Sequence, residues 1–286
     1  MSTTTKRVEL KGLTSFHTLN NDHHIPRLGL GVYQVPDGKE TEDAVLWALQ
    51  MGYRHIDTAT IYGNEKSVGN GIRKSGIPRE EIFVTTKLTE DDQGYDSAIA
   101  ALNLSLKKMG LDYVDLYLIH SPLRGSGLRK ESWKALETLV AQGKAKSIGV
   151  SNYGVSHLKE LLATNPKIRP VVNQIELHPW LTRPEIISFC ESHQIAIEAY
   201  SPLCQGLKLQ DPRLVKIAKK YSKSPAQVLI RWSLQKGHIV IPKSSKKERI
   251  EQNADVFDFE ISVEDMDVLD SMNENFICEW DPTTAP

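Results

Sequence analysis

Tyr53-Arg-His-Ile-Asp57-Thr-Ala-Thr-Ile-Tyr62-Gly-Asn-Glu65 holds the unit from which the fold is read. Arg54–Asp57 is a short β-rich run, polar residues after it form a loop, and a helical pattern starts near Asn64. Working outward, comparable runs occur at Leu28–Tyr33, Ile82–Lys87, Tyr113–His120, Ser147–Ser151, Val171–Gln174, Ala196–Tyr200 and His238–Ile241. Longer stretches with helical spacing separate them, among them Thr41–Met51, Ser97–Met109, Glu131–Ala141 and Pro225–Leu234. Gly110 and Gly143 follow helices as stops, and Pro225 suits a first helical turn.

Alternating strands and helices imply a parallel sheet with helical crossovers. Eight such units in 286 residues fit a (β/α)8 TIM barrel, whose usual size is about 250 residues, and residues 1–286 are expected to form a single domain. An open doubly wound sheet would want a Gly-rich nucleotide turn after its first strand. Gly29-Leu-Gly31-Val-Tyr-Gln34 and Gly69-Asn-Gly71-Ile-Arg-Lys74 both lack the third glycine. Ahead of the barrel, Val8–Leu10 and Ser15–Leu19 flank Lys11-Gly12 and predict an N-terminal β-hairpin capping the barrel bottom.

Composition narrows the function classes. The chain is 40% hydrophobic and 25% charged, and its formal net charge is −1, so no global field favours nucleic acid or an anionic membrane. No apolar run approaches the roughly 18 residues of a membrane helix, and the N-terminus lacks a secretory h-region. Cys190, Cys204 and Cys278 form no CxxC pair, which argues against a disulfide framework or a zinc site. His23-His24 are adjacent but belong to no metalloenzyme motif, so no metal is expected. A cytoplasmic protein that acts on a small molecule is the expectation.

In a parallel barrel every C-terminal strand end meets on one face, which gathers Asp57, Lys87, His120 and the loop residue Tyr62. A tyrosine of pKa near 10 is a poor acid at neutral pH, and an adjacent ammonium favours the phenolate. Lowering it by roughly 2–3 units takes about 3–4 kcal/mol of differential interaction, which Lys87 is expected to supply while Asp57 holds it charged. His120 would orient a substrate oxygen or relay the proton. Singly, each has an ordinary structural reading: a helix cap for Asp57, a strand-end surface residue for Lys87, a satisfied buried histidine for His120. Together they argue for proton donation.

Several motifs resemble those of the aldo-keto reductases. They are the Tyr53–Glu65 stretch, Phe83-Val-Thr-Thr-Lys87-Leu, Asp115-Leu-Tyr-Leu-Ile-His120, Ile148-Gly-Val-Ser151-Asn152 and Ile241-Pro242-Lys243-Ser244, which follow the family order from about Thr18 to Met272. The resemblance implies a (β/α)8 barrel that uses Tyr62 as general acid, Lys87 and Asp57 to tune it, and His120 to orient a carbonyl. It also implies NADPH/NADP+ as cofactor and a monomeric enzyme.

Tyr200 can stack a flat ring, and Ser151, Asn152 and Gln174 carry groups able to hold a carboxamide. The resemblance assigns these to the nicotinamide and extends the cofactor cleft to Gly31, Val32, Asp57, Ser201 and Leu203. In Lys243-Ser-Ser-Lys-Lys-Glu-Arg249, cations open a helical pattern where they oppose the macrodipole, an arrangement that an anion would relieve. The family matches Lys243, Ser244 and Arg249 to the 2′-phosphate and Asn253 to the adenine, and Gln252 stands where Glu is common. Family members usually carry tryptophans at the positions of Thr89 and Ser121, so a wider pocket for bulky keto substrates as well as small aldehydes is expected. Tyr33, Trp180 or Trp280 could refill it. Val32 replaces a frequent threonine.

Two other classes use the same residues. A lyase would form a Schiff base on Lys87, and a regulatory barrel would bind NADPH without turnover.

Overall fold

Alternate residues along short parallel strands point to opposite faces, and here that alternation sorts apolar side chains outward and functional ones inward. A computed structural model describes residues 10–286. Two antiparallel strands come first, β1 (Phe16–Thr18) and β2 (His24–Pro26). The barrel strands follow: β3 (Leu30–Gly31), β4 (His55–Asp57), β5 (Phe83–Leu88), β6 (Val114–Ile119), β7 (Ala145–Ser151), β8 (Val172–Glu176), β9 (Ala196–Tyr200) and β10 (Ile239–Val240). Each pairs in parallel with the next in sequence order. Parallel bridges Leu28–Val240 and Gly31–Lys243 join the last strand to the first and close the ring.

The crossovers are α1 (Lys39–Gln50), α2 (Glu65–Ser75), α3 (Tyr95–Met109), α4 (Gly125–Ala141), α5 (Val155–Ala163) and α6 (Pro184–Ser192). Two helices, α7 (Pro212–Lys220) and α8 (Pro225–Gln235), share the β9–β10 connection and explain why it is the longest. After β10 come α9 (Lys247–Ala254) and α10 (Val263–Asp270). Gly110 ends α3 in the left-handed conformation at φ 65°. None of the helices of the described residues is long and apolar enough to cross a membrane.

Outward-facing Ile56, Tyr117, Ile119, Ile148 and Ile175 pack with Ala44, Leu102, Trp133 and Leu136 of the helices in the main core. Inward, at the N-terminal strand ends, Phe83, Leu116, Val172, Ala196 and Ile239 form a second cluster. Leu19 and Ile25 of the hairpin complete that cluster, so the hairpin plugs the barrel bottom. Asn20 Nδ2 donates to Pro170 O at 2.9 Å and Asn21 Nδ2 to Ser147 Oγ at 3.0 Å, which fastens the plug to the rim.

The hairpin's strands differ from the expected pair. Phe16–Thr18 pairs with His24–Pro26 around a turn at Leu19–His23, whereas Lys11-Gly12 sits in an earlier turn. Val8 and Glu9 lie outside the described residues. The observed pairing is the one that turns Leu19 and Ile25 into the interior, and burying both outweighs the local turn signal of Lys11-Gly12.

Ile25 is fully buried in that plug. Ile25→Ala is expected to cost about 2–5 kcal/mol in urea unfolding. A loss below about 1 kcal/mol would mean that the hairpin does not seal the interior.

Candidate active site

At the opposite end of the interior the inward positions become polar. Asp57 ends β4 and Lys87 lies near the end of β5, both buried. Tyr62 closes the single helical turn Thr60–Tyr62 after β4, which Gly63 terminates at φ 70°. His120 follows β6 directly, its N–H bonded to Leu88 O at 3.0 Å.

The structure brings all four together. Lys87 Nζ donates to Asp57 Oδ1 at 2.6 Å, to Thr58 O at 2.9 Å and to Tyr62 Oη at 3.3 Å. The Tyr62 ring meets His120 edge-on with centroids 5.8 Å apart, and Tyr33 lies 5.0 Å away on its other side. Across the barrel, Gln174 Nε2 donates to Asp57 Oδ2 and to Glu198 Oε2, each at 2.8 Å. Glu198 Oε1 in turn lies 3.4 Å from His55 Nε2.

Burial dominates the protonation of the site. It pushes Asp57 up, against the downward pull of Lys87 and Gln174. It pushes Glu198 up to about 8, with Asp57 adding to the rise. It pushes His120 down to about 3, helped by the Lys87 charge, so the imidazole is neutral. The Nδ1 atom of His120 is buried without a hydrogen-bond partner.

Tyr62 departs from expectation. Burial, then Asp57, Tyr33, Glu279 and Glu198, hold the phenol well above its ordinary pKa rather than below it. Lys87 is already matched by Asp57 at 2.6 Å, so little of its field is left to favour a phenolate. The phenol therefore holds its proton firmly in the resting site.

These residues floor a cavity of about 1210 Å³ that runs from Tyr33, Tyr62, His120 and Trp280 to α9. Gly31, Asp57, Ser151, Asn152, Gln174, Tyr200, Ser201 and Leu203 line its middle. Tyr200 Oη donates to Asn152 Oδ1 at 2.8 Å and Asn152 Nδ2 to His120 O at 3.0 Å, which links the middle of the cleft to the end that holds Tyr62 and His120. Lys243, Ser244, Arg249, Gln252 and Asn253 line the far end with Ser245 and Lys246. Ser244 Oγ accepts the Lys246 N–H at 3.1 Å at the start of α9. Among the described residues no carboxylate forms an ion pair with Lys243, Lys246, Lys247 or Arg249.

Other expected positions lie elsewhere. Val32 is buried and presents only main chain, its N–H donated to Asp57 O at 3.1 Å. Thr89 is half-buried with its hydroxyl on Glu90, and Ser121 is fully buried beside Leu123; neither lines the cavity. Ile61, Glu90, Leu123 and Glu279 form walls that the sequence reading had not named. Trp180 is buried below the tail, while Tyr33 and Trp280 do reach the cavity. The tail closes over the mouth because Glu176 accepts the N–H groups of Cys278 and Glu279 at 2.7 and 3.1 Å. Glu198 and Glu176 were discoverable, since each falls two residues from an inward-facing site position, Tyr200 or Gln174.

Residues 27–274 match the model of the aldo/keto reductase family. An uncharacterized oxidoreductase of Bacillus subtilis, YtbE, is 51% identical over 269 residues, covering 93% of this chain and 95% of its own. The glyoxal reductase of the same organism is 50% identical over 257 residues, covering 90% and 92%. A Bombyx mori aldo-keto reductase solved in complex with NADP superposes with a TM-score of 0.86 at 39% identity, covering 92% of this chain and 94% of that one.

His120 should show no titration between pH 5 and 8 in long-range nitrogen–proton NMR spectra. Its folded pKa lies below the unfolded value of about 6.5, so the unfolded chain binds a proton that the folded one refuses. Its contribution to stability accordingly falls as pH drops from about 6.5 towards 3. An inflection near 6.5 assigned to His120 would show that the imidazole charges in the site.

Proposed function

Because the chain belongs to the aldo/keto reductase family, we propose that it is an NADPH-dependent carbonyl reductase with Tyr62 as its general acid. Its substrates are aldehydes, ketones or keto esters, which become alcohols. The observation that carries the proposal is Lys87 Nζ lying 3.3 Å from Tyr62 Oη and 2.6 Å from Asp57, next to the neutral imidazole of His120, at the floor of the cavity.

The residues present fit the cofactor. The cavity exceeds the usual 300–1,000 Å³ of a small-ligand pocket, which leaves room for a dinucleotide together with a substrate. Tyr200 offers a ring face for the nicotinamide, and Ser151, Asn152 and Gln174 offer polar groups for its carboxamide. The unpaired cations at the start of α9 await an anion, and Lys243, Ser244 and Arg249 would hold the 2′-phosphate. Gln252 and Asn253 then stand beside the adenine. When bound, the reduced cofactor supplies the hydride.

Tyr62 keeps its proton until the substrate oxygen gains negative charge and becomes a stronger base than the phenolate. The phenol then gives up the proton. Lys87 keeps its hydrogen bond to the Tyr62 oxygen as the proton leaves, and Asp57 keeps the ammonium aimed at it. His120, being neutral, can donate one N–H to the carbonyl oxygen without competing as an acid. Lys87 is fully buried and spends its hydrogens on three acceptors, which does not suit a free amine for Schiff-base chemistry.

NADPH consumption with a panel of aldehydes, ketones and keto esters tests the reading. Tyr62→Phe is expected to lose about 10²–10⁴-fold in turnover while still quenching its fluorescence on binding NADPH. Full activity in that variant would remove Tyr62 as the acid. Arg249→Met should weaken NADPH binding about 10–100-fold and leave NADH nearly unchanged, since a charge-assisted hydrogen bond contributes about 1.5–3 kcal/mol. An equal loss for both cofactors would place the phosphate elsewhere.

A further inference from the structure

Beyond the reductase chemistry, we infer that His178, Cys204 and Cys278 form a site for a borderline-soft divalent cation of the zinc class. Among the described residues, one group of His, Cys, Asp or Glu side chains is close enough to share an ion. It comprises His178, Cys204 and Cys278, whose donor atoms lie within 4.8 Å of one another. His178 Nε2 is 3.9 Å from Cys278 Sγ and 3.0 Å from Glu176 Oε1, a carboxylate that stands just outside the group.

The distances suit a tetrahedral ion. With bonds of about 2.3 Å to sulfur and about 2.0–2.1 Å to nitrogen or oxygen, the edges of such a site measure roughly 3.3–3.8 Å. The measured edge between His178 Nε2 and Cys278 Sγ, 3.9 Å, lies just beyond that range, and the widest possible one among the three donors needs contraction by about 1 Å. Two sulfurs and an imidazole select a thiophilic cation over magnesium or calcium, which take oxygen ligands. Each thiol releases its proton on binding, and the two thiolates balance the dication.

Location gives the site its consequence. Cys204 belongs to the loop after β9, where Ser201, Leu203 and Gln205 line the cofactor cleft. Cys278 belongs to the tail and is followed by Glu279 and Trp280, which line the cavity mouth. Ser201 Oγ already donates to Glu279 Oε1 at 3.0 Å across the same seam. An ion at the cluster would therefore tie loop and tail together.

The full chain, kept reduced with a phosphine and stripped with a chelator, is titrated with Co²⁺ alone. A single equivalent is expected to bind with a near-ultraviolet thiolate-to-cobalt band and the visible bands of four-coordinate cobalt, and Zn²⁺ should displace it. Cys278→Val, a change at a half-buried tail position, should abolish the thiolate band, and so should Cys204→Ala. Thermal unfolding of metal-free samples reports whether each variant is folded. The inference is overturned if the wild type gives no thiolate band at saturating Co²⁺, or if the band survives in folded Cys278→Val. Neither outcome bears on Tyr62 or on NADPH binding.

Discussion

The buried pair of Lys87 and Asp57 is the constraint on which the rest of the structure depends. Neither charge has access to water, and their 2.6 Å contact alone does not repay the desolvation of both ions. The barrel supplies the balance from several strands. Thr58 O and Tyr62 Oη take the remaining hydrogens of the ammonium, and Gln174 reaches from the far wall to the second oxygen of Asp57. Removing any of these leaves a polar group stranded in a dry interior, so the pair holds four separate chain segments in register. The apolar plug of Leu19 and Ile25 at the other end matters for the same reason, because it keeps water from entering below.

A second carboxylate in that interior sharpens the point. Glu198 shares one Gln174 nitrogen with Asp57, yet the nearby side chains include only one cation, Lys87, because His55 is pushed down to about 3 by its burial. Two ionised carboxylates would leave an unmatched negative charge in low dielectric. Raising Glu198 to about 8 lets it stay protonated at neutral pH, so the Lys87 charge is matched by Asp57 alone. The same lack of spare positive charge explains why Tyr62 is held high. In the proposed reaction its acidity is not stored in the resting site but arises when a carbonyl oxygen turns basic in front of it.

Much of this was legible in the sequence, for one reason. Strand period and the convergence of strand ends are local rules, so Asp57, Lys87 and His120 could be placed on one barrel face from their positions alone. Tyr62 followed because it lies five residues past a strand end in a short loop. The balance of fields at Tyr62 was not legible, since it depends on how far Lys87 is spent on Asp57. Nor were the pocket walls: Ser121 is buried away from the cavity, with its carbonyl accepting from Gln93 Nε2 at 2.8 Å, a contact between separate loops. The hairpin went astray because a turn signal is local, whereas burial of Leu19 and Ile25 is a tertiary gain. Cys204 and Cys278 gave no spacing signal, because their neighbourhood is made by the tail folding back.

That tail shows how the barrel separates chemistry from access. Glu176 faces inward at the end of β8 like the site residues, but its carboxylate is spent on the N–H groups of Cys278 and Glu279. Farther along, Arg183 pairs with Asp281 at 2.7 Å and Arg129 donates to Pro286 O at 3.0 Å. A Cβ on Gly154 would lie 1.9 Å from Thr283 O, so the strap can lie flat only where that position has no side chain. Lys87 and Asp57 are thus fixed by strands that cannot shift without stranding a charge. The mouth is shaped by a strap held through a partly buried ion pair and main-chain bonds. The mouth can therefore change with the strap while the cluster of Lys87, Asp57 and Tyr62 stays with the strands.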